Sequence, residues 1–264
     1  MSMITSRPEP SFIPTLEDVF GAQAHLSERV PPELANDILD YAGYWAKVST
    51  SFPTNNGTGK VISARHKDNL NSAEVLVLTP TMENWIGLDF FKIREVRFKL
   101  ESHDQGWADE NSSPLPYLPS WTWFEATIIR DPRYTASTPE EDAFVKKALE
   151  KSRRGQETKS SIITVPNLHA AAGLGEDMWD IQRNVRASSV FRSHEILFKE
   201  DSNDVASGKT PGKIGNDGMT GAGSGDGFVS ALQKEDRIAV IARARKLRWD
   251  NHVKEIEVEV YYSV

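Results

Sequence analysis

Two short stretches of the sequence combine tryptophan with planar polar side chains in a way that suits ligand recognition. The first, SHDQGW, spans residues 102–107, and the second, RWDNH, spans residues 248–252. An aromatic ring can stack on an apolar ligand face while Asp, Asn, Gln and Arg bind its polar groups, as in sites for sugars and small polar molecules. With the strand SWTWFEA, these stretches supply the candidate ligand-binding residues Asp104, Gln105, Trp107, Trp123, Glu125, Trp249 and Asn251.

Three further residues are candidates for catalysis. The segments IQRNVRAS and HEILF place Arg183, Asn184 and His194 at or near predicted strand ends. Hydrogen-bond donors of this kind can polarise a carbonyl group while a pocket orients the substrate. A structural role is the alternative for all these residues, because tryptophan and its polar neighbours also pack within β-sandwiches.

The composition excludes several other chemistries. The chain has 264 residues and no cysteine, which removes disulfides, thiolate nucleophiles and cysteine metal sites. The six histidines have no HxH or HExxH spacing, and no GxSxG motif occurs. The glycine-rich stretches at 208–213 and 221–227 lack the spacing of phosphate-binding loops. We therefore expect no metal and no cofactor, and any catalysis must depend on acid–base groups, hydrogen bonds and shape.

Charge and hydropathy indicate the kind of partner. The net charge of −7 argues against nucleic acid and anionic membranes as partners. The sequence has no 18-residue apolar run, and its first residues, MSMITSRPEPSF, lack the apolar region of a signal peptide. These features predict a cytoplasmic protein whose partner is a small-molecule ligand or substrate.

Helical patterns occupy the N-terminal part of the chain. Residues 1–13 are predicted to be a flexible arm and residues 14–50 a helical cap. In TLEDVFGAQAHL, Thr15 can cap a helix whose first turn is acidic. A second helix is predicted over residues 31–48, with an apolar stripe that must dock against another surface. That stripe consists of Leu34, Ile38, Tyr41 or Ala42, and Trp45.

Alternation of apolar and polar residues dominates the rest of the chain and predicts half-buried strands. In the last segment Ile256, Val258 and Val260 alternate with glutamates. Because regular helices do not separate the strands, the pattern favours an antiparallel two-sheet sandwich over residues 58–264, jelly-roll or galactose-binding-like. The predicted strands are 58–65, 73–79, 88–100, 121–130, 161–165, 178–190, 193–199, 236–246 and 254–264.

Two insertions interrupt the predicted sandwich. The first, 131–160, carries a helix in which Thr138 is the N-cap, Pro139 takes the first position and Glu141 completes a capping box. The second, 200–227, holds eight of the seventeen glycines and has no apolar period. This composition predicts a flexible loop.

Two family resemblances add to these patterns. The segment VPPELANDILDYAGYW is similar to the beginning of an F-box, with Pro31, Glu33, Leu34, Ile38 and Leu39 in agreement. Val30 replaces the first leucine of the F-box pattern, and the second half of the motif is not recognisable. This resemblance implies a ubiquitin-ligase adaptor as a partner.

The second resemblance covers residues 93–264, which are similar to an uncharacterised domain of filamentous-fungal proteins. Its marks are S-x-D-Q-G-W from Ser102, T-W-F-E-A from Thr122, R-N-x-x-A from Arg183 and a closing V-Y-Y. The family has no established chemistry, so three hypotheses remain open. The protein is a binder of a small or sugar-like ligand, a cofactor-free cyclase or pericyclase of fungal specialised metabolism, or an F-box-like adaptor.

Overall fold

The computed structural model describes residues 12–52, 59–64, 71–108, 114–156, 161–170, 176–200 and 218–264. Within them the helices are α1 (Leu16–Ser27), α2 (Pro32–Ala42), α3 (Met82–Ile86), α4 (Pro139–Arg153) and α5 (Phe228–Ala231). The strands are β1 (Ala46–Phe52), β2 (Lys60–Ala64), β3 (Asn71–Leu78), β4 (Lys92–His103), β5 (Thr122–Ile129), β6 (Trp179–Arg183), β7 (Arg192–Lys199), β8 (Arg237–Arg245) and β9 (Trp249–Ser263).

The predicted two-sheet sandwich is confirmed, and its strand order is that of a jelly roll. Sheet A has the order β1–β9–β4–β7, with β2 also paired to β9, and sheet B has the order β3–β8–β5–β6. The antiparallel pairs β2·β9, β3·β8, β4·β7 and β5·β6 are nested one inside the next. A ribbon of nested pairs that alternates between two sheets is the jelly-roll path.

The core lies between the two sheets and follows the alternation expected from the sequence. Phe98 on β4 is the register partner of Val258 on β9, and both side chains are fully buried. Phe124 and Ile128 on β5 face them from sheet B as part of the same cluster. A smaller core lies on the outer face of sheet B, where α4 packs. Burial on both faces explains why residues 238–242 of β8 form an unbroken apolar run.

The predicted N-terminal helices form, but the second is shorter than expected. Thr15 caps α1 through a capping box with Asp18, as its position indicated. The prediction that the second helix continues to residue 48 is wrong, because α2 ends at Ala42. Gly43 takes the left-handed conformation (φ 65°) that ends a helix readily, and β1 begins three residues later.

The apolar stripe predicted on α2 is not the face that docks. Ala35 and Leu39 are the buried residues of α2. Leu34 is 51% exposed, Ile38 44% and Tyr41 95%. The helix is therefore rotated away from the expected orientation, so that Leu39 faces inward while Leu34, Ile38 and Tyr41 face outward.

Helix α4 forms where predicted and protects a sheet edge. The Thr138 side chain accepts a hydrogen bond from the Glu141 backbone N–H, at 3.3 Å. The Glu141 carboxylate accepts from the Ser137 N–H, at 3.1 Å, rather than from Thr138, so the expected capping box does not form. At its other end Glu150 accepts from Val75 N–H (3.1 Å) on edge strand β3. These contacts leave β3 less available to another strand.

The glycine-rich segment is packed along the part that the structure describes. Ala222 forms a β-bridge with Gln182, and the Gly223 N–H donates to the Ile181 carbonyl at 2.9 Å. A Cβ on Gly223 would collide with the Asp180 carbonyl oxygen. Ala222 thus adds a single bridge beyond β6, and residues 218–227 are packed against the sandwich rather than forming the loose loop that was predicted, while residues 201–217 lie outside the described residues.

Two other predicted strands are shorter in the structure. The segment 161–165 contributes a single bridge, Thr164 to Ile129, in place of a strand. The segment 178–190 contributes only the five residues of β6.

Candidate functional site

Two of the predicted site residues, Asn184 and Asn251, form a buried polar connection between the sheets. Asn184 follows β6 and donates to Asn251 on β9 and to Thr122 on β5, both at 2.9 Å. Its side-chain oxygen accepts from the Ser102 hydroxyl at 2.7 Å. Each of these four side chains is at most 1% exposed, so the cluster holds the two sheets together and does not face solvent.

Asp104 is also buried and organises two loops. Its carboxylate accepts hydrogen bonds from Gly106 N–H (2.9 Å) and Ala187 N–H (2.7 Å). Burial raises the pKa of Asp104 against the lowering effect of these hydrogen bonds. Gln105 beside it accepts weakly from Asp250 N–H, at 3.4 Å, which joins the two stretches SHDQGW and RWDNH. These residues fix loop geometry and leave few polar atoms for a ligand.

Trp123, Glu125 and Arg183 converge on the outer face of sheet B, together with Arg243, which the sequence did not single out. The guanidinium carbons of Arg183 and Arg243 lie 5.5 and 5.2 Å from the centroid of the Trp123 ring. Glu125 is 1% exposed and pairs with Arg243 at 2.7 Å and with Arg153 at 3.1 Å. The tryptophan stacks on the protein's own guanidinium groups, and the carboxylate is neutralised within the cluster.

Trp249 and His194 lie apart from that cluster. Trp249, which lies between two of the predicted strands, is the first residue of β9 and only 3% exposed, so it is not accessible to a ligand. His194 on β7 shares a hydrogen bond of 3.2 Å with the Tyr117 hydroxyl. Burial lowers the pKa of His194, and Arg192 lowers it further, so the imidazole is neutral at pH 7.

One surface does gather aromatic rings near the predicted residues, and we call it the aromatic end. The rings of His103 and His252 stack with centroids 4.4 Å apart, and Phe191 meets His103 edge-on at 4.3 Å. Trp107 is 40% exposed, and Val190 beside Phe191 is 64% exposed. The aromatic end consists of His103, Trp107, Val190, Phe191 and His252.

A cavity lies at the opposite end of the sandwich. The cavity has a volume of about 720 Å³ and lies between the cap, formed by α1 and α2, and the beginning of β4. Because β4 runs from this cavity to the aromatic end, Arg94 and His103 are separated by about 30 Å of extended strand. The apolar part of the lining includes Leu39, Tyr44, Phe90, Phe91, Ile93 and Leu232. We call this space the cap cavity.

The polar part of the cap cavity is centred on Arg94. Its guanidinium donates to Asp40 on α2, to the Ser263 hydroxyl at 2.9 Å, and to Glu200 at 3.4 Å. Lys92 also pairs with Glu200, at 2.8 Å. The pair between Asp40 and Arg94 fastens the cap to sheet A, and it forms one wall of the cavity.

The sequence analysis did not identify the cap cavity. The ten predicted site residues are absent from its lining. The signal available in the sequence is the pair Phe90–Phe91, because two adjacent aromatic residues break the alternation of apolar and polar residues that follows in β4. In the structure Phe90 is 88% exposed and belongs to the cavity lining.

Neither a metal centre nor a membrane helix is found in the part of the chain that the structure describes. There, no group of three or more His, Asp or Glu side chains is arranged to hold a metal ion. No helix among the same residues is long and apolar enough to cross a membrane.

Comparisons with known proteins add little. No family model matches the chain, and no curated protein matches it. Among solved structures, the decameric BFDV capsid protein is similar over 83% of this chain and 96% of its own, with 10% sequence identity and a TM-score of 0.24. A similarity this low carries no argument about fold or function.

Proposed function

We propose that the protein binds a small, largely apolar molecule in the cap cavity. The observation that supports this proposal is the cavity itself: about 720 Å³, with aromatic and aliphatic walls that charged and polar side chains interrupt. Ligand sites for small molecules typically have volumes of about 300–1,000 Å³ and predominantly apolar walls. A cytoplasmic location and kinship with the filamentous-fungal domain belong to the same proposal and are supported by sequence patterns alone.

Phe90 offers a test that spares the fold. Its side chain is 88% exposed at the cavity, so Phe90→Ala removes ligand contact without removing buried core. Leu168, 87% exposed and outside the cavity lining, provides the matched control Leu168→Ala. A thermal-shift screen of small apolar molecules should give ligands that stabilise the wild type and Leu168→Ala but stabilise Phe90→Ala less. Ligands that stabilise all three equally, or no ligand at all, would contradict the proposal.

A cofactor-free cyclase or pericyclase is a second candidate that uses the same cavity. The support is the combination of aromatic and aliphatic cavity walls, which can orient a flexible substrate, with the Arg94 guanidinium, which can donate to a carbonyl oxygen. Arg94→Lys should then reduce turnover of a polyene carbonyl substrate more than it reduces binding. Equal losses of turnover and binding would show that Arg94 contributes to substrate binding and not to the reaction step.

Binding of a sugar-like ligand is favoured by the aromatic end rather than by the cap cavity. Trp107 and Phe191 are each about 40% exposed, and stacked imidazoles lie beside them. Flat rings of this kind bind the C–H faces of sugars. Glycan-array binding that Trp107→Ala abolishes would support this site, and binding that survives the change would exclude it.

An adaptor function depends on the outward stripe of α2. Leu34, Ile38 and Tyr41 are exposed at helical spacing, and they belong to the segment that resembles an F-box. Three such residues can anchor a helix in a partner groove. Co-purification with a ubiquitin-ligase adaptor that is lost on Ile38→Asp would support this function, and failure to co-purify would end it.

A further inference from the structure

The charged side chains that line the cap cavity restrict the chemistry of the ligand more than the shape of the cavity does. The lining contains the carboxylates of Asp40, Asp89, Glu200 and Glu235 and the basic groups of Lys92, Arg94 and Lys234. Each basic group has at least one carboxylate within 4 Å, and Arg94 and Lys234 each have two. Among the described residues of the lining, every basic group therefore already has a carboxylate partner when an anion enters.

Arg94 nevertheless retains hydrogen-bonding capacity. A guanidinium has five N–H donors. Among the described contacts, one donor goes to Ser263, one to Glu200 and one to Asp40. The Asp40 carboxylate is occupied on both oxygens, because Trp45 donates its indole N–H to the other one at 3.0 Å. A neutral oxygen can accept from the two other donors of Arg94 without displacing a carboxylate.

We propose that the ligand of the cap cavity is uncharged, with an apolar body and a hydroxyl or carbonyl oxygen that accepts from Arg94. This inference rests on the proposed function of the cavity. A carboxylate ligand would have to displace Asp40 or Glu200 from Arg94, or would lie beside them as a like charge. An ammonium ligand would compete with Arg94 and Lys92 for Asp40 and Glu200, and the remaining lining carboxylates, Asp89 and Glu235, are exposed, where an ion pair contributes little. A neutral hydroxyl or carbonyl oxygen displaces no carboxylate from Arg94 and competes for none.

Three probes of the same size separate these possibilities: naphthylmethanol, naphthoate and naphthylmethylammonium. Their fluorescence is titrated against the full chain, the Phe90→Ala variant and the Leu168→Ala variant. We expect naphthylmethanol to bind the wild type at least about tenfold more tightly than either charged probe. Phe90→Ala should weaken that binding, and Leu168→Ala should not.

A charge-neutralising variant gives an independent readout. Glu200→Gln removes the carboxylate that Lys92 and Arg94 share, so the affinity ratio of naphthoate to naphthylmethanol should rise. The control is Glu101→Gln, because Glu101 pairs with Lys254, at 2.7 Å, and both residues lie outside the cavity lining. In that variant the affinity ratio should stay at its wild-type value.

The outcomes distinguish the inference from the function on which it rests. Naphthoate or naphthylmethylammonium binding as tightly as naphthylmethanol, with sensitivity to Phe90→Ala, would overturn the uncharged ligand and keep the cavity as a binding site. If all three probes bind and Phe90→Ala changes none of their affinities, or if no probe binds, both the uncharged ligand and the cavity as a binding site are excluded. An affinity ratio that Glu200→Gln leaves unchanged would also overturn the inference.

Discussion

The Asn184 side chain donates a hydrogen bond to the Asn251 side chain across the interior of the sandwich, at 2.9 Å, and both residues are fully buried. Asn184 belongs to the segment after β6 in sheet B, and Asn251 belongs to β9 in sheet A. Asn251 also donates to the Trp123 and Arg243 carbonyls of sheet B, at 3.3 and 3.1 Å. Residues whose types suggested ligand recognition therefore connect the two sheets.

Asn184→Ala should destabilise the fold strongly. The change leaves Ser102, Thr122 and Asn251 without a shared partner in a buried site, which costs about 3 kcal/mol of unfolding free energy. Urea denaturation measures the loss. Asn84→Ala is the control, because the exposed Asn84 side chain donates only to the Thr135 carbonyl. A change at Asn184 no larger than the control would show that the cluster contributes little.

Glu259 should make stability dependent on acid pH. Burial alone would raise the pKa of this carboxyl, but hydrogen bonds from Lys47 and Lys99 outweigh it, so the pKa lies below its ordinary value of 4.5. The folded state thus holds the proton less tightly than the unfolded state. The stabilisation is present above about pH 4.5 and is lost as pH falls through the lower folded pKa.

Glu259→Gln tests this dependence. The variant should lose about 2 kcal/mol at pH 7 and should show a shallower decline of unfolding free energy below pH 4.5 than the wild type. Chemical denaturation across a pH series measures both effects. Glu83→Gln, at an exposed carboxylate 4.0 Å from Lys234, should leave the acid decline unchanged. Parallel pH curves for wild type and Glu259→Gln would exclude the assigned role.

The edge of sheet B depends on α4 for its protection. Glu150 accepts from the Val75 N–H, and Arg154 donates to the Ala73 carbonyl at 2.7 Å. The double variant Glu150→Ala/Arg154→Ala frees these groups, and exposed strand edges promote association. Light scattering during heating should then show earlier aggregation. Lys147→Ala/Lys151→Ala, at exposed positions of α4, is the control, and equal onsets would count against a protected edge.

Two glycines with similar backbone angles should respond differently to alanine. Gly225 (φ 72°) lies against the Phe198 ring, where a Cβ would collide, whereas Gly155 (φ 73°) has open space around it. Both changes incur the strain of the left-handed region, but only Gly225→Ala adds a steric clash. Thermal melts should show Gly225→Ala about 2 kcal/mol less stable than Gly155→Ala. Equal losses would mean that the segment 218–227 is loosely attached.

The alternation of apolar residues was sufficient to predict the fold class. Ile256, Val258 and Val260 face the core as their spacing indicated, and Thr15 and Thr138 cap helices where the sequence placed them. The end of α2 was missed although Gly43 offered a stop signal, because the apolar period continued through it to Trp45. The spacing of apolar residues within a short segment does not reveal that Ala46–Phe52 pairs with β9, more than 200 residues away.

The candidate site could not be found in the same way. Trp249, Asn251 and Asn184 have the chemistry of a binding site, and burial gives them structural partners that only the tertiary structure supplies. The cap cavity is formed by α2, the Phe90 loop and residues after α5, which are distant in sequence. No local motif marks such a convergence.

The most direct test of ligand binding in the cap cavity is to locate a bound molecule. An uncharged aryl diazirine is photolysed with the full chain, and the labelled peptides are identified by mass spectrometry. Binding in the cap cavity predicts labels at residues 89–94 and 229–235, reduced in Phe90→Ala and competed by naphthylmethanol. Labels concentrated at residues 103–107 and 190–192 would instead place the ligand at the aromatic end and contradict the central claim.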